Sequence, residues 1–255
     1  MDHPIAIWSS GGGTQSNAIA VMILQGKLPK PDLAVIADTG YELSSTWEYM
    51  ERYTAPALEN IGVTLHRIKS ADYATVGLYS KTGKLLVPVY TRYNADGSIG
   101  KLPTYCSNEW KGRVIQRYAR SIYPKAKKFE MWMGMTMDEA QRVKITTGRW
   151  VKKYPLIDAR MFRFDAINLV REYGWPTPPK STCYICPNKS ESHWKDIKEN
   201  HPQDIEDAKK IEDKLREVDN DVFLHRQGVP LDAVDFDEAQ GDMFNGKCDT
   251  GHCFV

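Results

Sequence analysis

No apolar run in this 255-residue chain approaches the roughly 20 residues that span a bilayer, so no membrane-crossing helix is expected. Met1-Asp2-His3-Pro4 carries neither the basic nor the apolar region of a signal peptide, and a cytoplasmic location is the expectation. Net charge is almost absent as well. A formal +1 gives no global electrostatic case for nucleic acid or membrane binding and leaves only local basic patches. Internal repeats and low-complexity linkers are missing, which argues against a second independent domain. No two histidines are spaced to pair on one helix face, so His66, His193, His201, His225 and His252 read as structural or surface residues. Cysteine is scarce, at five. Disulfides rarely persist in a reducing compartment, so Cys106, Cys183, Cys186, Cys248 and Cys253 need another reason. What remains is an ordinary soluble composition, 42% hydrophobic and 26% charged, long enough for one sizeable core with a small appendage.

The stretch from Ile5 to Ala20 organises the rest. A strand-like Ile5-Ala6-Ile7-Trp8 runs into Ser9-Ser10-Gly11-Gly12-Gly13-Thr14-Gln15-Ser16 and then into an apolar helix start. Strand, glycine turn and helix N-terminus together make an anion site, because unpaired N–H groups and the helix dipole face the turn. The glycines permit positive φ and close approach of phosphate oxygens, and Ser9, Ser10, Thr14 and Ser16 add hydroxyls. Neither the GK[ST] ending of a Walker loop nor G-x-G-x-x-G spacing is present. A glycine turn without ligand is the bland alternative.

A helix is expected from Ser16 to about Gln25, ended by Gly26. Leu33-Ala34-Val35-Ile36-Ala37 reads as a buried parallel strand that finishes in the polar turn Asp38-Thr39-Gly40-Tyr41-Glu42. Ser44 or Ser45 is placed to cap the next helix, with Glu48 completing a capping box, and a third strand spans 63–68. Such βα units predict an α/β fold with a doubly wound, mostly parallel sheet, whose ligands bind beyond the strands' carboxyl ends. Leu85–Tyr90, Asn94-Ala95-Asp96-Gly97 and Ile99-Gly100 suggest a hairpin or mobile loop inserted in the sheet fold. Helix returns at 108–121, strand at 129–134, helix at 165–173 and a charged helix at 191–218 broken near His201-Pro202. The expected division is 1–175 as a Rossmann-like nucleotide-binding domain and 176–255 as a cysteine-bearing helical extension packed on the same core.

Cys183-Tyr184-Ile185-Cys186-Pro187 is a C-x-x-C that serves zinc, iron–sulfur or thiol redox chemistry. Cys106, Cys248 and Cys253 are the candidates for completing a metal site; a 4Fe-4S cluster, structural zinc and unligated cysteines all stay open. Asp38 and Glu42 suit a magnesium ion or a ribose, or merely turn and cap duty. Lys111 and the stripe Arg113, Arg117, Arg120 suit phosphate or a solvated face. Asp138, Glu139 and Arg142 follow a strand end, where an arginine can hold phosphate.

These motifs, in this order, resemble the adenine nucleotide α-hydrolase or PP-loop superfamily, and within it the phosphoadenosine phosphosulfate (PAPS) reductase-like proteins of phages and bacteria. The resemblance rests on Ser10–Ser16, Asp38–Glu42, Cys106–Arg113, Gly134–Arg142, Tyr154-Pro155-Leu156, Pro178–Trp194 and the terminal cysteines. It implies ATP, or an adenylyl sulfonucleotide, held by Ser9, Ser10, Gly11, Gly12, Gly13, Thr14, Gln15, Ser16 and Gly134, with Asp38 and Thr39 near the ribose and adenine. It also implies a 4Fe-4S cluster beside the nucleotide, assigned to Cys106, Cys183, Cys186 and Cys248, with zinc the alternative and Mg2+ a further candidate. Two departures stand out. Gln15 occupies the place of the Asp in S-G-G-x-D-S, and the tail Lys247–Cys253 lacks the E-C-G-x-H order of the assimilatory reductases.

The resulting expectation is an enzyme that activates a substrate by adenylation with pyrophosphate release, for sulfur transfer. Arg142 and Lys111 would polarise the phosphates, and Cys253 would serve as a thiolate nucleophile. Expected partners are an adenine nucleotide, then tRNA, DNA or a sulfur-donor protein; no membrane is expected, and a homodimer is the candidate assembly. Sulfonucleotide reduction and a non-catalytic nucleotide- or cluster-sensing subunit are the alternatives.

Overall fold

The computed structural model describes residues 3–74 and 77–236. Its strands are β1 (Ile5–Ser10), β2 (Leu33–Asp38), β3 (Leu65–Lys69), β4 (Tyr90–Thr91), β5 (Gly100–Lys101), β6 (Phe129–Met133), β7 (Trp150–Lys153) and β8 (Val222–Phe223). The helices are α1 (Thr14–Leu24), α2 (Ser44–Tyr49), α3 (Ala55–Glu59), α4 (Arg113–Ile122), α5 (Pro155–Asp158), α6 (Arg163–Glu172), α7 (Glu191–Asn200) and α8 (Pro202–Val218). A π-helical turn, Met50–Thr54, joins α2 to α3, a second, Asn108–Gly112, leads into α4, and a 3-10 turn, Met137–Arg142, follows β6. No helix among the described residues is long and apolar enough to cross a membrane.

The chain divides into two compact units, Met1–Ala74 with Trp110–Ser181, and Thr75–Glu109 with Thr182–Val255. The first is the α/β fold that the alternating pattern predicts. Its sheet runs β3-β2-β1-β6-β7, and every neighbouring pair is parallel. The chain leaves β1 toward β2 and β3 on one side and returns to β6 on the other, so the order reverses between β1 and β6. In an open parallel sheet that reversal opens a crevice at the carboxyl ends, where β1 delivers its glycine loop.

α1 is buried almost throughout, from Thr14 to Ile23, which is why it is apolar nearly all round rather than striped. It packs in one cluster with Trp8, Trp132, Leu58 and the α6 residues Leu169 and Val170. A second cluster, on Ile5, Ile7, Val35 and Phe129, takes in Val114, Ile115 and Ala119 of α4. Three expectations shift. α1 begins at Thr14 rather than Ser16, with Gly13 at its N-cap. α2 begins at Ser44 with Leu43 at the cap position and no side-chain cap bond, so the capping box at Ser45 and Glu48 does not form. Finally, β7 is a strand where none was expected; it sits at the sheet edge and is anchored by Trp150 stacked 4.3 Å from Phe129.

The second unit carries an antiparallel sheet, β5-β4-β8. The expected hairpin is present: β4 pairs with β5, and Gly97 N–H donates to Asn94 O at 3.0 Å in the turn between them. α8 contributes Glu212, almost fully buried, whose two carboxylate oxygens accept from Leu224 N at 2.8 Å and Leu231 N at 2.6 Å. That carboxylate organises the chain after β8.

Candidate functional site

The β1–α1 loop folds on its own polar groups. Gly12 sits at φ +75, and a Cβ there would lie 2.5 Å from Thr46 Cγ2, so the position requires glycine for both conformation and space. Gly11 N–H donates to Ser16 Oγ at 2.8 Å and Gly12 N–H to Ser10 Oγ at 3.2 Å. Two of the hydroxyls expected around a ligand therefore also help to close the turn, each as an acceptor. Asn17, fully buried, donates through Nδ2 to Gly12 O at 2.9 Å and Gly13 O at 3.0 Å, and its Oδ1 accepts from Thr54 Oγ1 at 2.5 Å. This brace leaves the α1 terminus with no side-chain cap, so its first N–H groups face the turn. Ser9 lies within β1, level with Met133 of β6, and Thr14 opens α1.

Two segments close on the loop. Gly134, just past β6, packs so tightly that a Cβ would lie 3.2 Å from Ser16 N and 3.3 Å from the Gln15 carbonyl carbon. Ser181 lies over Gly13; its hydroxyl reaches the Gly11 carbonyl and, at 3.0 Å, the Glu42 carboxylate. Glu42 is buried and receives Lys111 Nζ at 3.0 Å. Lys111 thus meets the acidic turn after β2. Asp38, at the end of β2, is held by Arg67 at 2.8 Å and accepts Gly40 N–H at 2.9 Å, while Arg67 stacks 3.6 Å over Trp47. Thr39 is buried and its Oγ1 accepts from Tyr41 N at 3.2 Å. Of the arginine stripe on α4, Arg117 donates to Tyr73 O.

Gln15 leads to Glu139 and Arg142, two of the three charged residues expected after the β6 strand end. Its Nε2 donates to Glu139 Oε2 at 3.2 Å, and Arg142 donates to the other oxygen of the same carboxylate. Glu139 is buried, and burial raises its pKa; the charges of Arg142 and Arg163 and the Thr136 backbone oppose that rise. A carboxylate does stand beside the loop here, supplied by residue 139 and bridged to the loop by the amide of Gln15. The only sequence sign was the three-residue spacing of Glu139 and Arg142 in one short turn. Thr46 Oγ1 and Thr136 Oγ1 are buried without a hydrogen-bond partner among the described residues. Asn17 looked like any polar helix residue in the sequence.

The cysteines fall in the second unit. Cys183 and Cys186 are not joined in a disulfide and share one turn, closed by Cys186 N–H donating to Cys183 O at 2.9 Å. Lys189, buried, donates to Tyr184 O at 2.7 Å and Cys186 O at 2.9 Å, and its ammonium lies 3.9 Å from the Trp194 ring centroid. Two cysteines and a buried cation on one turn are a set that fits one arm of a thiolate-held metal or cluster. Cys106 is half-buried, its N–H donating to Leu86 O at 3.0 Å. Among the described residues, no group of three His, Cys, Asp or Glu is gathered as a metal ion would need. Cys248 and Cys253 lie outside the described residues.

No protein-family model matches the sequence, and no curated protein matches it. Among solved structures, the chain is similar to phosphoadenylyl-sulfate (PAPS) reductase from Candida auris in a phosphate complex. The identity is 16% over 69% of this chain and 76% of that one, with a TM-score of 0.43. It is also similar to the U34-tRNA thiolase NcsA from Methanococcus maripaludis with its 4Fe-4S cluster, at 14% identity over 70% of this chain and 59% of that one, with a TM-score of 0.39.

Proposed function

We propose that this chain is a PP-loop type enzyme that binds ATP at the β1–α1 loop and activates an acceptor by adenylation. One observation carries the reading: the uncapped N-terminus of a buried helix opens at the sheet's reversal point, with Gly12 and Gly134 removing side chains from both sides of it. Phosphate oxygens take up the N–H groups at the start of α1, which the helix dipole favours. The acceptor oxygen attacks the α-phosphorus of ATP; the new P–O bond forms as the bond to the bridging oxygen breaks, and pyrophosphate leaves with that electron pair. Arg142, held on Glu139, supplies positive charge beside Gln15. Gln15 places an amide where a carboxylate would repel phosphate without an intervening metal, so Mg2+ contributes less at this position. Asp38 is engaged with Arg67, which makes it a turn-forming residue first and an ion ligand only at the cost of that pair.

A thiolate-held 4Fe-4S cluster, with Cys183 and Cys186 as two ligands and Cys106 and Cys248 as further candidates, would supply bound sulfur or electron transfer. With Cys253 as nucleophile, its thiolate displaces AMP, which leaves with the C–O electron pair, and joins the acceptor to the chain through a C–S bond; a sulfide donor then displaces the Cys253 thiolate and leaves its own sulfur on the acceptor. Sulfonucleotide reduction is the alternative, and release of sulfite from PAPS rather than pyrophosphate from ATP would select it.

Gly134→Ala tests the site. The added methyl meets the backbone at the head of α1, so ATP affinity measured by calorimetry falls about tenfold, the equivalent of one good backbone contact, while far-UV circular dichroism is unchanged. Undiminished ATP binding by the folded variant would remove the phosphates from this loop.

A further inference from the structure

The chain's net charge of +1 conceals a local excess. Between residues 142 and 164 stand seven lysines and arginines against one carboxylate, Asp158. This segment runs from the turn after β6 through β7, the sheet's edge strand, to the start of α6. Lys144 and Lys152 are near enough that the charge of Lys144, after burial, lowers the pKa of Lys152. Like charges set side by side cost stability unless an anion takes them up.

Aromatic rings interleave with these cations. Phe162 and Phe164 are 51% and 68% exposed, whereas the other phenylalanines among the described residues, at 129, 223 and 236, are buried. Two of the seven cations are paired, Arg142 with Glu139 and Lys153 with Glu130 at 3.8 Å, and Arg163 also acts on Glu139 through its charge. Asp165 accepts Phe162 N–H at 2.8 Å and Asp138 accepts Arg163 N–H at 2.5 Å, so both carboxylates hold the backbone that presents the rings. Arg160, at φ 55, is the one non-glycine residue with positive φ among the described residues; it turns the chain out of α5 toward Phe162. The presentation is fixed at both ends, because Met137 N–H also donates to Met161 O at 2.8 Å. Met137 and Asp138 open the same 3-10 turn that carries Glu139, the partner of Gln15. The rings are therefore tied, through one short turn, to the head of α1.

We propose that residues 142–164 form a binding surface for single-stranded nucleic acid, with Lys144, Lys152, Arg160 and Arg163 on its phosphates and Phe162 and Phe164 stacking on its bases. Exposed cations alone would serve any polyanion; flat rings between them suit unpaired bases, which offer a π-face irrespective of sequence. This deepens the adenylation reading, on which it rests for the identity of the acceptor: an unpaired base stacked here lies beside the turn that leads to the nucleotide loop. The surface itself stands on its own observations.

The test uses fluorescence anisotropy on the full chain with a labelled mixed-sequence 20-nucleotide RNA, the matching single-stranded DNA and the matching duplex, at several salt concentrations. Both single strands are expected to bind more tightly than the duplex, and the RNA–DNA difference reads any contact to the 2′-hydroxyl. Phe162→Ala and Phe164→Ala, both exposed positions, should each weaken single-strand binding about tenfold. Lys144→Gln should lower the slope of log affinity against log salt by about 0.7. ATP binding, measured on the same variants, should stay unchanged. Absence of single-strand binding at low salt, indifference to both phenylalanine substitutions, or equal affinity for polyglutamate or anionic vesicles would overturn the proposal. Loss of ATP binding by the unmodified protein would instead overturn the adenylation reading and leave the nucleic-acid result intact.

Discussion

Glu139 condenses the site's chemistry into one side chain. It is buried, yet it accepts from a neutral amide on one oxygen and pairs with a guanidinium on the other. Burial wins over the arginine charge, so its pKa lies above the ordinary carboxylate range. The sign of its contribution to stability follows. A group with a raised folded-state value contributes fully below the ordinary range and loses that contribution as pH rises through its folded value. Glu139→Gln cannot titrate, so the native protein should lose melting temperature relative to the variant over the pH range that begins at the ordinary glutamate value, about 4.3, and rises through its folded value. Thermal scans of both proteins across that range measure it; a constant or growing advantage of the native protein would mean that the Arg142 pair outweighs burial. In the sequence Glu139 was one acid among several after a strand. Its burial and its link to Gln15, 124 residues away, belong to the fold alone.

The element that sets the site is the β1–loop–α1 unit, and it was also the most legible. Alternation, three glycines and an apolar helix are local signals, and each is realised in the first unit. The hydroxyls do a second job that the sequence does not show: Ser10 and Ser16 accept the loop's own N–H groups and so shape the turn, while each keeps its O–H to donate. β7 escaped notice because an edge strand of Trp-Val-Lys-Lys has no alternation to betray it; Trp150 stacking on Phe129 holds it. The capping box failed for a related reason: with Leu43 buried at the cap, α2 starts one residue before Ser45. Asn17 is the residue on which the unit's geometry depends. Asn17→Ala strands the carbonyl of Gly12 and the hydroxyl of Thr54 in a buried setting and leaves Gly13 O with only the backbone N–H of residue 17, which should cost about 2–4 kcal/mol in urea unfolding. Bound ATP should recover part of that loss by mass action. A cost below about 0.5 kcal/mol would show that the glycine turn holds its shape without the brace.

At the scale of the whole molecule, two units divide the chemistry between them: the parallel sheet with its helix terminus in one, and the C-x-x-C turn in the other. The sequence separates Cys106 from Cys183 by a long run of chain, yet both fall in the second unit, a grouping that no spacing rule could supply. Lys189 is the part of that unit with the clearest physical consequence. Its ammonium, buried on two turn carbonyls and against Trp194, offsets the negative charge that thiolates or a cluster would bring. The proposed cluster predicts that anaerobically prepared protein is brown, with iron and acid-labile sulfide, and that Cys183→Ala bleaches it. Lys189→Met keeps every cysteine and removes only the cation, so iron and sulfide should persist while the reduction potential becomes more negative, since adding an electron is no longer assisted by a neighbouring positive charge. Stoichiometric zinc without labile sulfide would replace the cluster with a structural metal, and an unchanged potential in Lys189→Met would place the cysteine-held group beyond the reach of that ammonium.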